Sequence, residues 1–112
     1  MFLHIHTNLI SVFVSKLFWS DWNRDGPKIE WSNLDGSDRK LLVSSPNVQL
    51  PNSLAVSQQT GELCFADAGV QKIGCVDSYT GVLRTIIGNL SYPFGLGISN
   101  DHYYWTDWTT WV

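Results

Sequence analysis

An all-β fold made of repeated four-stranded units is what this sequence predicts, and three observations carry that reading. An aromatic, a small residue and an aspartate recur as Trp19-Ser20-Asp21, Phe65-Ala66-Asp67 and Trp105-Thr106-Asp107, the aromatics 46 and 40 residues apart. Strand-like runs of four to seven residues lie between turn signals at Asp25-Gly26-Pro27, Asp35-Gly36, Thr60-Gly61, Ala68-Gly69 and Asn100-Asp101. Nothing in the chain reads as an amphipathic helix of ten residues or more. A period of 40–46 residues with four short strands in each is the mark of a β-propeller blade, and 112 residues supply about two and a half such blades of four antiparallel strands.

Taken in order, residues 1–15 are an atypical leader whose "LISVFV" fits an inner-strand slot. The opening has the apolar look of a signal peptide, but it lacks a basic start, and His4, His6, Thr7, Asn8 and Ser11 interrupt the apolar run. Residues 16–112 form the partial propeller, with repeats starting near 16, 62 and 102. After the first two motif aspartates, Lys28-Ile29 and Lys72-Ile73 open the next strand, and Asp35-Gly36 and Thr80-Gly81 close it. Upstream of the second and third motifs, "LPNSLAV" matches "YPFGLGI". Proline suits a strand start, where its fixed φ fits and its missing N–H removes no ladder bond.

Composition bounds the function. The chain is 44% hydrophobic with six Trp, four Tyr and five Phe, enough for one modest packed domain. The net charge of −3 is scattered and there is no basic run, which argues against nucleic acid or an anionic membrane surface as partner. No apolar run reaches the ~18 residues of a membrane span. The motifs of hydrolase, zinc-protease, nucleotide and dinucleotide sites are all missing, so no catalytic residue, cofactor or metal ligand is assigned. Asp35 and Asp38 read as turn residues.

The residues now carry a family resemblance. "YWTD" at Tyr104 to Asp107 resembles the motif of the six-bladed propellers of the low-density lipoprotein receptor class B repeat, and "FWSD" and "CFAD" resemble degenerate copies. The chain thus looks like an incomplete six-bladed YWTD β-propeller. Within that group "DWNRDGPKIE", "LPNSLAV…ELCFADAGVQKIGCV" and "NLSYPFGL…YYWTDW" resemble the nidogens (entactins). The resemblance covers about Lys16 to Trp108, whereas residues 1–15 lack the Pro-x-Gly text expected ahead of the first motif.

Roles follow residue by residue. One acid per blade is a structural pattern, so Asp21, Asp67 and Asp107 are expected to bond backbone N–H groups or side chains of the adjacent blade. Trp19, Phe65 and Trp105 are expected to pack between blades. Counting alone leaves Cys64 and Cys75 as free thiols or one disulfide; a hairpin turning at Ala68–Gln71 would set them face to face, which favours the disulfide, while zinc would need two more ligands. Asn89-Leu90-Ser91 is a glycosylation sequon in a connecting loop. His4, His6 and His102 read as incidental.

The resemblance implies a secreted, non-catalytic adhesion module of basement membrane, binding the laminin γ-chain short arm and other matrix proteins. Residues at the inner-strand starts, Asn52, Tyr92 and Phe94, are the candidates for partner contact. The competing readings are a propeller from a lipoprotein-receptor-related or Wnt co-receptor ectodomain, and a truncated product with no independent function whose uncovered blade faces would associate. Calcium use in nidogens is implied to lie in other modules, and no EF-type loop occurs here.

Overall fold

Short strands punctuated by turn residues give a meander, and the structure, a computed structural model, shows three of them in succession. It describes residues 16–22 and 26–108, together with the backbone of 10–13. His4, His6, Thr7, Asn8 and Asp25, all named above, lie outside the described residues. The strands are β1 (Ile10–Phe13), β2 (Lys16–Asp21), β3 (Lys28–Asn33), β4 (Lys40–Ser44), β5 (Pro51–Val56), β6 (Leu63–Asp67), β7 (Lys72–Val76), β8 (Leu83–Ile87), β9 (Pro93–Ser99) and β10 (His102–Asp107). They form antiparallel sheets β1-β2-β3-β4, β5-β6-β7-β8 and β9-β10, each in chain order, with no helix among the described residues. This is a propeller arrangement, two four-stranded blades and half of a third. Each sheet begins one strand ahead of its motif.

The turns explain the breaks. Asn100 and Asp101, at φ 49° and 67°, make the two-residue link that sets Ser99 opposite His102. Two turns share one design: Gly61 N donates to Ser57 O and Gly81 N to Asp77 O, both at 2.8 Å, with the glycines at φ 77° and 76°. Between β6 and β7 the register sets Cys64 opposite Cys75, and the two are joined by a disulfide with their Cα atoms 3.9 Å apart. That is the narrow kind of antiparallel pair.

Packing lies between the blades. Phe18, Ile29 and Val43 of the first sheet meet Leu54, Leu63, Phe65 and Val76 of the second in one buried cluster. Side chains alternate across a strand, so Phe65 points back toward the preceding blade. Its ring lies over Gly74, where any Cβ would come within 2.8 Å of the ring. Trp19, the residue equivalent to Phe65, is buried but stands apart from that cluster; Phe18 enters it instead. The Arg39 guanidinium sits 5.3 Å from the Trp19 ring and is held by Glu30 at 3.0 Å. Trp105 is only half-buried, in a sheet of two strands.

The motif aspartate fastens the connector between blades. Asp67 is fully buried and accepts four backbone N–H bonds: Gln49 at 2.8 Å, Leu50 at 2.9 Å, Gly69 at 2.8 Å and Val70 at 2.9 Å. The first two belong to the connector arriving from β4, the others to its own hairpin. Asp107 takes Ser91 N at 3.1 Å and Tyr92 N at 2.7 Å in the same way. Asp21 is buried, with Lys28 Nζ 3.7 Å from its carboxylate. The tie between blades thus runs through backbone N–H groups of the connector. Gly69 is the near side of that junction: a Cβ there would stand 2.3 Å from Gln49 Cβ.

Replacing Asp67 by Ala strands four N–H groups whose bonds are part-buried, so denaturant melts should show a loss of about 3 kcal/mol or more; a loss under about 1 kcal/mol would show that water serves as well. Reducing or removing the Cys64–Cys75 bond, which closes a separation of 11 residues, should cost about 3 kcal/mol by loop closure. Glu62 gives a pH test. Its carboxyl is held below its ordinary value of 4.5, first by the Arg84 side chain, whose Nε and Nη2 donate at 2.9 and 2.7 Å. A depressed acid stabilises above the unfolded value and loses that contribution as pH falls through the folded one. The stability gap between wild type and Glu62→Gln should therefore be flat above about pH 5.5 and shrink below pH 4.5.

Candidate partner-binding face

The ends of the inner strands come together with the ends of the motif strands. β5 packs against both β2 and β9. β5 and β9 each open on a buried proline whose carbonyl takes a side-chain N–H from the preceding blade: Trp22 Nε1 donates to Pro51 O at 2.8 Å, and Asn52 Nδ2 to Pro93 O at 3.1 Å. Ser53 Oγ accepts Leu96 N at 3.3 Å, and Gln71 O accepts Leu90 N at 3.0 Å. These bonds fix the height of one blade against the next.

Asn52, a sequence candidate for partner contact, is 2% exposed and spends its amide N–H on Pro93. It serves the junction between blades. Its Oδ1 is buried with no hydrogen-bond partner among the described residues. Tyr92 is 37% exposed, Phe94 is half-buried, and the two are joined by a residue that sequence reasoning did not single out, Trp108. The Trp108 ring stacks on Phe94 at 4.3 Å and on Tyr92 at 5.9 Å, and the Trp108 backbone N–H donates to Tyr92 O at 2.9 Å, yet the residue remains 60% exposed. A signal for it existed: Trp22 and Trp108 each follow a motif aspartate, where the middle repeat has Ala68.

The arrangement offers a stacked, rigid aromatic surface. Tyr and Trp supply large contact area with few rotatable bonds, which suits anchoring a protein partner. Asp107 fastens the same loop, since its bond partner Tyr92 is the first aromatic of the set. The acids away from this face do turn work. Asp35 is pulled below its ordinary value by Ser37, and Asp77 by the N–H groups of Thr80 and Tyr79. Among the described residues no group of three or more His, Cys, Asp or Glu is placed to hold a metal ion. Among the same residues no helix is long and apolar enough to cross a membrane. Asn89 is exposed, and His102 is exposed with Nδ1 2.8 Å from Asn100 O.

Known proteins match this pattern. Residues 15–56 fit the low-density lipoprotein receptor repeat class B. Nidogen of Drosophila melanogaster is 53% identical over 89 residues, covering 80% of this chain and 7% of that protein. Vitellogenin receptor Yl of the same species is 35% identical over 98 residues, covering 84% of this chain and 5% of the receptor. Among solved structures, a chain of the crystal structure of a nidogen/laminin complex aligns with a TM-score of 0.77 at 38% identity, over 86% of this chain and 36% of that one. The chain therefore spans a small part of the relatives it matches. With a motif aspartate fastening each described connector and its blades in chain order, it belongs to the low-density lipoprotein receptor class B repeat family, the YWTD-type β-propellers.

Proposed function

We propose that the chain acts as a non-catalytic, extracellular protein-binding module of the matrix, nidogen-like, with laminin as its partner and the stacked face of Tyr92, Phe94 and Trp108 as part of the contact. The observation that carries this is the match to a chain of a nidogen/laminin complex at 38% identity, over 86% of this chain, and the preformed aromatic surface adds to it. The Cys64–Cys75 disulfide agrees with an oxidising compartment, and basement membrane is the matching location. Asn52 supports the face from behind by holding the strand start on which Phe94 lies. An endocytic-receptor role has the 35% identity to the vitellogenin receptor behind it, against 53% to nidogen.

Binding should be measured with the purified protein and the laminin γ-chain short arm on a sensor surface. Trp108→Ala and Phe94→Ala should each weaken the complex by tenfold or more, about 1.4 kcal/mol, with melting behaviour checked alongside. Unchanged affinity in both variants would remove this face from the contact, and no binding by the wild-type protein would sink the laminin reading itself.

A further inference from the structure

The connector from β8 to β9 carries the single Asn-x-Ser/Thr sequence in the 112 residues, Asn89-Leu90-Ser91. Its backbone is held firmly. Leu90 N donates to Gln71 O at 3.0 Å, Ser91 N to the Asp107 carboxylate at 3.1 Å, and Ser91 O accepts Gln71 Nε2 at 3.3 Å. The Asn89 side chain, in contrast, is exposed, and no described residue bonds its amide. Asn89 sits at φ 57°, a left-handed conformation that asparagine tolerates better than most residues. Ser91 is exposed too.

The preceding connector supplies an internal comparison. Gln49 and Leu50 bond Asp67 as Ser91 and Tyr92 bond Asp107, so Asn47-Val48-Gln49 holds the place of Asn89-Leu90-Ser91. Asn47 is exposed as well, but glutamine stands where the acceptor sequence needs a hydroxyl. The two sites differ in the residue the transfer reaction reads.

We infer that Asn89 carries an N-linked glycan in the native protein and Asn47 does not. The co-reactant is a lipid-linked oligosaccharide diphosphate. Asn89 Nδ2 forms a bond to the anomeric carbon of the first sugar, the bond from that carbon to the phosphate oxygen breaks, the amide loses one proton, and the lipid diphosphate leaves. The folded structure accepts the product because the modified side chain already points away from the packed blades. Tyr92 lies three positions beyond Asn89, at most about 10 Å of chain, so the glycan stands beside the aromatic face on the same connector. The inference rests on the extracellular half of the proposed function and is independent of laminin.

The test is a peptide map of protein purified from its own tissue, treated with peptide-N-glycosidase in heavy-oxygen water. Residue 89 should be recovered as heavy-oxygen aspartate, with Asn47 unchanged. In protein secreted from animal cells, Asn89→Gln and Ser91→Ala should each remove one glycan step in gel mobility; Ser91→Ala keeps Asn89 and its backbone conformation, which separates glycan loss from misfolding. Unmodified Asn89 in a map that also contains the Cys64–Cys75 disulfide would overturn the glycan and leave the extracellular reading standing. Unmodified Asn89 together with reduced cysteines would overturn both.

Discussion

A buried carboxylate holding four backbone N–H groups is the constraint on which the rest of this molecule depends. Removing a charged group from water costs several kcal/mol, and a sheet as small as these has little apolar area to offset it. Asp67 offsets that cost with four short bonds to N–H groups, each charge-assisted and worth about 1.5–3 kcal/mol. Two of those donors arrive on the connector from β4 and two lie in the hairpin after β6, so one side chain sets both the length of the crossing and the point where the next blade starts. Repeating the device at Asp107 repeats the geometry.

With the connectors fixed, the blades need only fill the space between them. A four-stranded twisted sheet has two faces and no interior of its own, which is why the buried cluster draws from both sheets. The fit is made of unequal partners: Phe65 is wide because Gly74 beside it has no side chain. The carbonyls of Pro51 and Pro93 add directional bonds across the junction, where apolar contact alone would let one blade slide on the next.

Local chemistry in the sequence revealed local structure well. The strand breaks at Asp35-Gly36, Thr60-Gly61, Thr80-Gly81 and Asn100-Asp101 were readable because each turn needs a residue that tolerates positive φ or a side chain that caps the loop. The opposition of Cys64 and Cys75 followed from hairpin register, which period-two alternation fixes strictly. Less legible were the features set by a neighbouring blade. Nothing in "LFWSD" distinguishes Phe18, which meets the second sheet, from Trp19, which lies under Arg39. Asn52 looked like a loop polar residue because its acceptor, Pro93 O, is 41 residues away in the chain. Trp108 gains its place from stacking on Phe94, a contact no spacing rule reports.

The same logic bears on the binding face proposed at this end of the blades. A partner needs side chains that are exposed yet already ordered, since freezing them on contact would consume about 0.5–1.5 kcal/mol apiece. An exposed aromatic can fail that condition: among the described residues Tyr79, 79% exposed, has one ring contact, edge-on to Trp31. Tyr92, Phe94 and Trp108 meet it, because Asp107 fixes the backbone of the first, the inner strand fixes the second, and the third is stacked on both while bonded to Tyr92 O. The carboxylate that builds the blade junction therefore also stiffens the surface beside it. Blade structure and the proposed contact converge on one loop: weakening the Asp107 bonds would release both the connector and the aromatic face.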